Sequence, residues 1–240
     1  MERLIEEIQE LQAQRVSVVR GVLRLDNMAG SYVRRFLGWQ PDLPEKERKA
    51  INARAARLAK AVREGKQPKE LGPGVVAYIL RVAEAGEPLR VFRDALEKNM
   101  RQAARRLPVW PWVEATPGFG DLGLAIIVGE AGDLAGYANP AKLWKRMGVA
   151  VLNGERQRKK TDPDEAKAQG YNPRRRSALW TIGDSLLKAE GPYRELYCAR
   201  KTMEKERAPE MTKMKAHRRA QRYMEKRLLR NLWRAWRAKG

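Results

Sequence analysis

Cysteine and histidine are almost missing from this 240-residue sequence: each occurs once, at Cys198 and His217. One cysteine excludes an internal disulfide, and the pair cannot furnish a Cys/His zinc cluster. Such usage fits a reducing, cytoplasmic compartment. Cys198, in the helical context YRELYCARK, is expected as a half-buried packing residue. Long apolar runs are also lacking. No stretch approaches the roughly 20 residues that a membrane span requires, so no membrane partner is expected. The N-terminal MERLIEEIQELQ is acidic and amphipathic, unlike a secretory signal. No segment alternates apolar and polar residues for long enough to set a strand. Nothing in the composition calls for a metal or an organic cofactor.

Acidic residues are scarce in one part of the chain only. The whole carries 50 Lys+Arg against 29 Asp+Glu, a formal charge of +21. Residues 1–140 hold 22 basic and 18 acidic side chains, a net of +4, whereas residues 141–240 hold 28 and 11, a net of +17. A segment with that imbalance repels itself and attracts a polyanion, which makes nucleic acid the leading partner and a nucleoid-associated location the expectation. An apolar content of 43% suffices for a core, and a mean hydropathy of −0.66 leaves a wide polar surface. The length admits one large domain or two small ones.

The pattern predicts a mainly α protein. Leu4, Ile5, Ile8 and Leu11, then Val18, Val19, Val22 and Leu23, recur at helical spacing. Asp26-Asn27 reads as a break, and Pro41 to Pro44 as a turn, with Pro44 in the first turn of a helix whose inner face is Ile51, Ala55, Leu58, Ala59 and Val62. After a loop at 66–74 a short helix spans 75–83. A separate one begins near Pro88 and turns Val91, Ala95, Leu96, Met100, Ala103 and Leu107 inward before Pro108 stops it. Residues 1–107 thus form a helical scaffold, expected to mediate a homodimer. The segment 108–115, with two prolines and two tryptophans, is a stiff connector, and residues 116–240 form the nucleic-acid-binding domain.

That domain opens on Pro117-Gly118-Phe119-Gly120, which matches the turn of a helix-hairpin-helix. Gly118, Phe119 and Gly120 would bring backbone N–H groups and a positive helix end against a phosphate. Asp121 is a candidate cap, Leu122 to Val128 is apolar enough to be buried, and Glu130-Ala-Gly-Asp133 closes that helix. Asn139-Pro140 opens another, with Leu143, Trp144 and Met147 inward, Lys145 and Arg146 as candidate phosphate contacts, and Gly148 as the stop. Residues 153–172 form a mobile loop or a short β-ribbon carrying Arg156, Arg158, Lys159 and Lys160. Asn172-Pro173 starts a helix whose positive end is crowded by Arg174, Arg175 and Arg176, a repulsion that a docked anion would relieve. In the last helix, about 211–238, Ala216, Ala220, Met224, Leu228 and Leu232 face inward. Arg219, Arg222, Lys226, Arg230, Arg234 and Arg237 step by three or four residues along another face. Over about 27 Å of helix those six cations would track a phosphate backbone.

These residues resemble a family. The order Pro117-Gly118-Phe119-Gly120, Glu130-Ala131-Gly132-Asp133, Gly148-Val149-Ala150, Asn172-Pro173-Arg174 with Ala178-Leu179-Trp180, and the closing Lys226 to Trp233 is similar to the C-terminal domain of IS-one-ten-type insertion-sequence transposases. Those proteins are bridge-RNA-guided recombinases, and the resemblance covers roughly residues 109–236. It implies a domain that contacts DNA and guide RNA. It would also imply a RuvC-like domain with metal-binding carboxylates and a serine nucleophile before a Lys-x-Gly turn. The chain departs on both counts. Before Pro108 it shows helices and no acid cluster, and in Glu165-Ala166-Lys167-Ala168-Gln169-Gly170 an alanine stands where serine is expected. Alanine has no nucleophilic atom. Ser177 and Ser185 lie off the motif, and Thr161 is a weak substitute.

The sequence therefore leads to a non-catalytic, largely sequence-independent DNA-binding protein related to a transposase domain, most readily a binder of duplex. Two alternatives are a recombinase working through Ser177, Ser185 or a partner's active site, and a binder of structured RNA.

Overall fold

The computed structural model describes residues 1–239. Among them are ten α-helices and one two-stranded ribbon: α1 (Glu2–Phe36), α2 (Glu45–Arg63), α3 (Pro73–Arg105), α4 (Trp110–Glu114), α5 (Asp121–Ala131), α6 (Pro140–Arg146), β1 (Val151–Leu152), β2 (Glu155–Arg156), α7 (Pro163–Gln169), α8 (Pro173–Lys188), α9 (Pro192–Arg207) and α10 (Lys213–Lys239). A 3-10 turn, Leu134–Gly136, joins α5 to α6. The mainly α expectation holds. The ribbon pairs Val151 with Arg156 and Leu152 with Glu155 in antiparallel register. Asn153 (φ 51°) and Gly154 (φ 78°) make its two-residue turn, the positive angles a tight hairpin demands.

The chain groups into two compact units, one of Gln14–Leu96 and the other of Met1–Ala13 with Glu97–Gly240. In the first, Val33, Ala55, Leu58, Ala59, Val62, Leu71, Val75 and Ile79 pack together. Two expected helix boundaries are absent. α1 runs through Asp26, whose carboxylate accepts from Arg63 Nη1 at 2.8 Å and Arg90 Nη2 at 2.9 Å. Asp and Asn cost a helix interior only tenths of a kcal/mol each (about 0.7 at most), and two guanidiniums hold Asp26 in place there. α3 runs through Pro88, which removes one backbone donor. Arg90 Nη1 donates to the Ala83 carbonyl at 3.0 Å, placing a side-chain donor in the turn the proline loosens. Val91 and Ala95, expected inward, are exposed, Val91 at 61%.

In the second unit α10 packs against α6, α8, α9 and the 3-10 turn, and α5 is buried on every side. Leu124, Ala125, Ile126, Ile127 and Val128 are all buried, so this helix is apolar all round, as a central helix must be. Leu143, Met147, Leu179, Leu186, Met224, Leu228 and Leu232 pack in the same cluster. The segment 108–115, expected as a connector, contributes Val109 and Val113 to this core, with Trp110 and Trp112 packed against it. The expected helix starts at Asn139 and Asn172 are found, while residues 153–172, expected as a loop or ribbon, also hold the helix α7, started by Asp162. Asn139 accepts from the Ala141 and Lys142 N–H groups, Asp162 from Glu165, and Asn172 from Arg174 and Arg175, each with proline at the next position. Cys198 departs from expectation and is exposed on α9.

The Gly-Phe-Gly turn is a packing joint. Gly118 has φ +78°, and a Cβ there would lie 2.7 Å from the Ser185 carbonyl oxygen and 2.9 Å from Leu186 Cα. Phe119 is buried, edge-on to Trp112 with ring centroids 6.2 Å apart. Gly120 caps α5 in extended backbone, and a Cβ there would meet nothing within 4 Å. Gly118→Ala is accordingly expected to lower the unfolding free energy by roughly 2–4 kcal/mol, and Gly120→Ala by no more than about 1 kcal/mol. Urea melts compare the two, and equal losses would mean that the close approach to α8 is misplaced.

Candidate nucleic-acid interface

Four buried carboxylates in the second unit decide which cations are free. Asp121, in the first turn of α5, accepts from Arg101 Nη1 at 2.6 Å, Arg105 Nε at 2.8 Å and the Leu122 N–H at 2.8 Å. The helix end presented by the hairpin thus carries its own anion. Together with the packing of Gly118 and Phe119, this corrects the expectation of a phosphate seat there. Glu130, 3% exposed at the end of α5, accepts from Gln12 Nε2 at 2.9 Å, Arg174 Nη2 at 2.8 Å and Arg175 Nε at 3.0 Å. Its backbone carbonyl accepts from Arg146 Nε at 2.8 Å. The crowded arginines of α8 and Arg146, expected on phosphate, are held from inside. Burial alone would raise the Glu130 pKa, but the hydrogen bonds from Gln12 and Arg174 outweigh it and leave the carboxyl below its ordinary value.

Arg176 serves the third carboxylate. Its Nη1 lies 3.0 Å from Glu225, whose side chain is wholly buried on α10, and its guanidinium stands over the Trp180 ring at 5.5 Å. A Cβ on Gly183 of α8 would come within 2.9 Å of Glu225 Oε1 and of Gln221 Nε2, so the small residue is what lets the two helices close over this charge. Burial pushes the Glu225 carboxyl up to about 7, against the pull of Arg176 and Arg222. The fourth carboxylate, Glu204 on α9, joins Arg200 at 2.5 Å and Arg219 at 2.9 Å. Burial raises its pKa, the bonds from Arg219 and Arg200 lower it, and the second effect prevails.

Above Glu225 and Glu204 opens a cleft of about 700 Å³, lined from the ribbon, α9 and α10. Its cations are Arg156, Arg200, Arg207, Lys215, Arg218, Arg219, Arg222 and Lys226, and among the described residues Glu204 is its one carboxylate. The fold gathers here four residues expected from the sequence, namely Arg156, Arg219, Arg222 and Lys226. It adds Arg200, Arg207, Lys215 and Arg218, which were missed. The two-turn spacing of Arg200 and Arg207 was the available signal. The connection between α9 and α10 is tied down by Lys205 Nζ, which donates to the Met211 carbonyl at 2.6 Å. Burial and the neighbouring Arg176 and Arg156 lower the Arg222 pKa from its ordinary value, a shift that leaves an arginine charged. Burial and Arg222 likewise lower the pKa of Lys226, whose Nζ stands 5.0 Å from the Trp144 ring centroid. The guanidiniums of Arg200 and Arg227 lie over the Tyr223 ring at 4.9 and 4.8 Å.

Other expected contacts lie outside the cleft. Arg158 pairs with Glu155 at 3.2 Å and Lys160 with Glu165 at 2.8 Å, while Lys159 is exposed beside them. Further along α10, Arg230 is half-buried beside Asn231, Arg234 is exposed, and Arg237 stands over Trp233 at 4.9 Å. Lys145 is half-buried, and its carbonyl accepts from Gln157 Nε2 at 3.0 Å. Ala166 sits on α7. Ser185 Oγ donates to the Thr181 carbonyl at 3.2 Å, and the Ser177 carbonyl accepts from Thr181 Oγ1 at 3.2 Å. His217 meets the Tyr197 hydroxyl at 2.8 Å. Among the described residues no group of three or more His, Cys, Asp or Glu is placed to hold a metal ion, and no helix is long and apolar enough to cross a membrane. Comparison with family models, curated proteins and solved structures finds no match for the chain.

The division between framed and free cations can be measured. Arg174→Ala with Arg175→Ala is expected to cost about 3–5 kcal/mol, because Glu130 is left buried with its charge unpaired; calorimetric unfolding reads the loss. Glu225 gives a pH signature. With a folded pKa of about 7 against an ordinary 4.5, it keeps its proton where the unfolded chain releases it. Its contribution is full below about pH 4.5 and lost as pH rises through 7. Asp121, Glu130 and Glu204, with lowered values, act in the opposite sense and lose their contribution as the pH falls. Denaturation between about pH 5 and pH 8 should show wild type losing stability relative to Glu225→Gln as the pH rises, since His217, whose pKa burial lowers, acts in the opposite sense but equally in both. Parallel curves would contradict the assignment.

Proposed function

We propose that this protein binds nucleic acid, foremost duplex DNA, by seating the phosphate backbone in the cleft between the ribbon, α9 and α10, without reading base sequence. The observation that carries this reading is the cleft's charge: eight cations against one carboxylate that is already bonded to two of them. Contacts of this type position a protein on its polymer and carry no sequence information directly. Single-strand binders use aromatic faces on which bases stack, whereas Tyr223, the aromatic of this lining, already has two guanidiniums over its ring. A relation to the C-terminal domain of insertion-sequence transposases goes with the proposal. Its support is the order of the motifs and the meeting of two of them, Glu130 of one bonding Arg174 of another at 2.8 Å. The geometry offers no activated nucleophile at Ser177 or Ser185 on which to build the recombinase alternative.

A salt titration of binding to duplex DNA, single-stranded DNA and structured RNA tests the reading. The logarithm of affinity should fall linearly with the logarithm of salt, and Lys215→Ala or Arg218→Ala should each reduce the slope by about 0.9 for duplex. Arg158→Ala, outside the cleft, should leave it unchanged. Affinity indifferent to salt would refute the proposal, and tighter binding of structured RNA in competition would transfer the cleft to that polymer.

A further inference from the structure

We infer that Val151 and Met214 form an apolar wedge that enters between base steps of the duplex held in the cleft and bends it. The inference rests on the cleft being the nucleic-acid site. Both side chains line that cleft, and both stand in water, Val151 at 52% and Met214 at 55% exposure. Isolated apolar residues on a surface need no explanation. These two differ in being set among cations that would neutralise the adjoining phosphates: Arg156 lies directly opposite Val151 in the ribbon, and Lys215 follows Met214.

Hydrogen bonds hold both mounts in place. The buried Gln157 fixes the base of the ribbon. Its Nε2 donates to the carbonyls of Lys145 at 3.0 Å and Gln169 at 2.6 Å, its Oε1 accepts from the Ala150 N–H at 3.3 Å, and its own N–H donates to the Ala150 carbonyl at 3.1 Å. Val151 follows immediately, β-branched and stiff at χ1. Met214 sits in the first turn of α10, where Thr212 Oγ1 accepts from the Lys215 N–H at 3.3 Å. Its unbranched thioether can adapt to an irregular gap. Proteins that kink duplex place apolar side chains between base steps and basic ones on the neighbouring phosphates, offsetting the unstacking with the contacts that the bend permits.

The test uses the full chain and a short duplex carrying a fluorophore at each end, alongside the same duplex with a two-nucleotide bulge. Wild type is expected to shorten the end-to-end distance of the linear duplex on binding. It should also prefer the bulged duplex by about tenfold or more, because a step already opened spares the unstacking. Val151→Ser with Met214→Ser should bind the linear duplex with the same salt slope, leave it straight, and lose most of the preference for the bulge. Both residues are exposed, and far-ultraviolet circular dichroism checks that the fold is intact. Binding without bending by wild type, or equal bending by the double variant, overturns the wedge while leaving the cleft in place. Failure of wild type to bind either duplex at low salt overturns the cleft reading and the wedge with it.

Discussion

A unit this rich in arginine can close on itself only by burying carboxylates among its own cations. Asp121, Glu130, Glu204 and Glu225 do that here: Asp121 ties α5 to α3, Glu130 ties α5 to α8, Glu225 ties α10 to α8, and Glu204 ties α9 to α10. Withdrawing a carboxylate from water costs several kcal/mol. Glu130 offsets it with three side-chain bonds and Asp121 with two guanidiniums and a backbone N–H. Glu225 has the least compensation, and its raised pKa is the mark of that shortfall. The arrangement divides the arginines held on a core carboxylate from the cleft cations with none, and Arg200 and Arg219 belong to both sets, since they serve Glu204 and line the cleft.

Local signals in the sequence proved sufficient for what they encode. Asn139-Pro140 and Asn172-Pro173 start helices because an Asn side chain caps two N–H groups and proline suits the next position. The apolar face of α10 was legible from its period, since Ala216, Ala220, Met224, Leu228 and Leu232 are all buried. What failed was long-range. Nothing near Arg174 in the sequence indicates that its carboxylate stands 44 residues away at Glu130. Asp26 and Pro88 look like breaks until Arg63 and Arg90 are seen beside them. Half of the cleft's cations were missed: Arg200 and Arg207 because α9 matters only once α10 folds back along it, and Lys215 and Arg218 because they lie off the basic stripe read along α10.

The Gly-Phe-Gly turn is instructive in this respect. Two glycines before an apolar helix suit either a phosphate or a neighbouring backbone, since both need an approach that a Cβ would block. The sequence cannot distinguish the two. Here the φ of Gly118 and the nearness of Ser185 and Leu186 assign it to the backbone of α8. The motif residues that carry the family resemblance mostly do frame work of this kind, and the cations of the cleft lie largely outside those motifs. Motifs that do frame work say little about a reaction.

Net charge predicts attraction to a polyanion but not discrimination among sequences. On the proposed reading the cleft's cations meet phosphates, which are the same at every step, so selectivity would come from how readily the duplex deforms. A hydrogen-bonded ribbon and a capped helix turn, each presenting an exposed apolar side chain beside a cation, are the parts of the cleft able to test that property. Flexible pyrimidine–purine steps would yield to them at lower cost than stiff A-tracts. On the proposed reading, preference would follow the deformability of each step, with no base edge contacted.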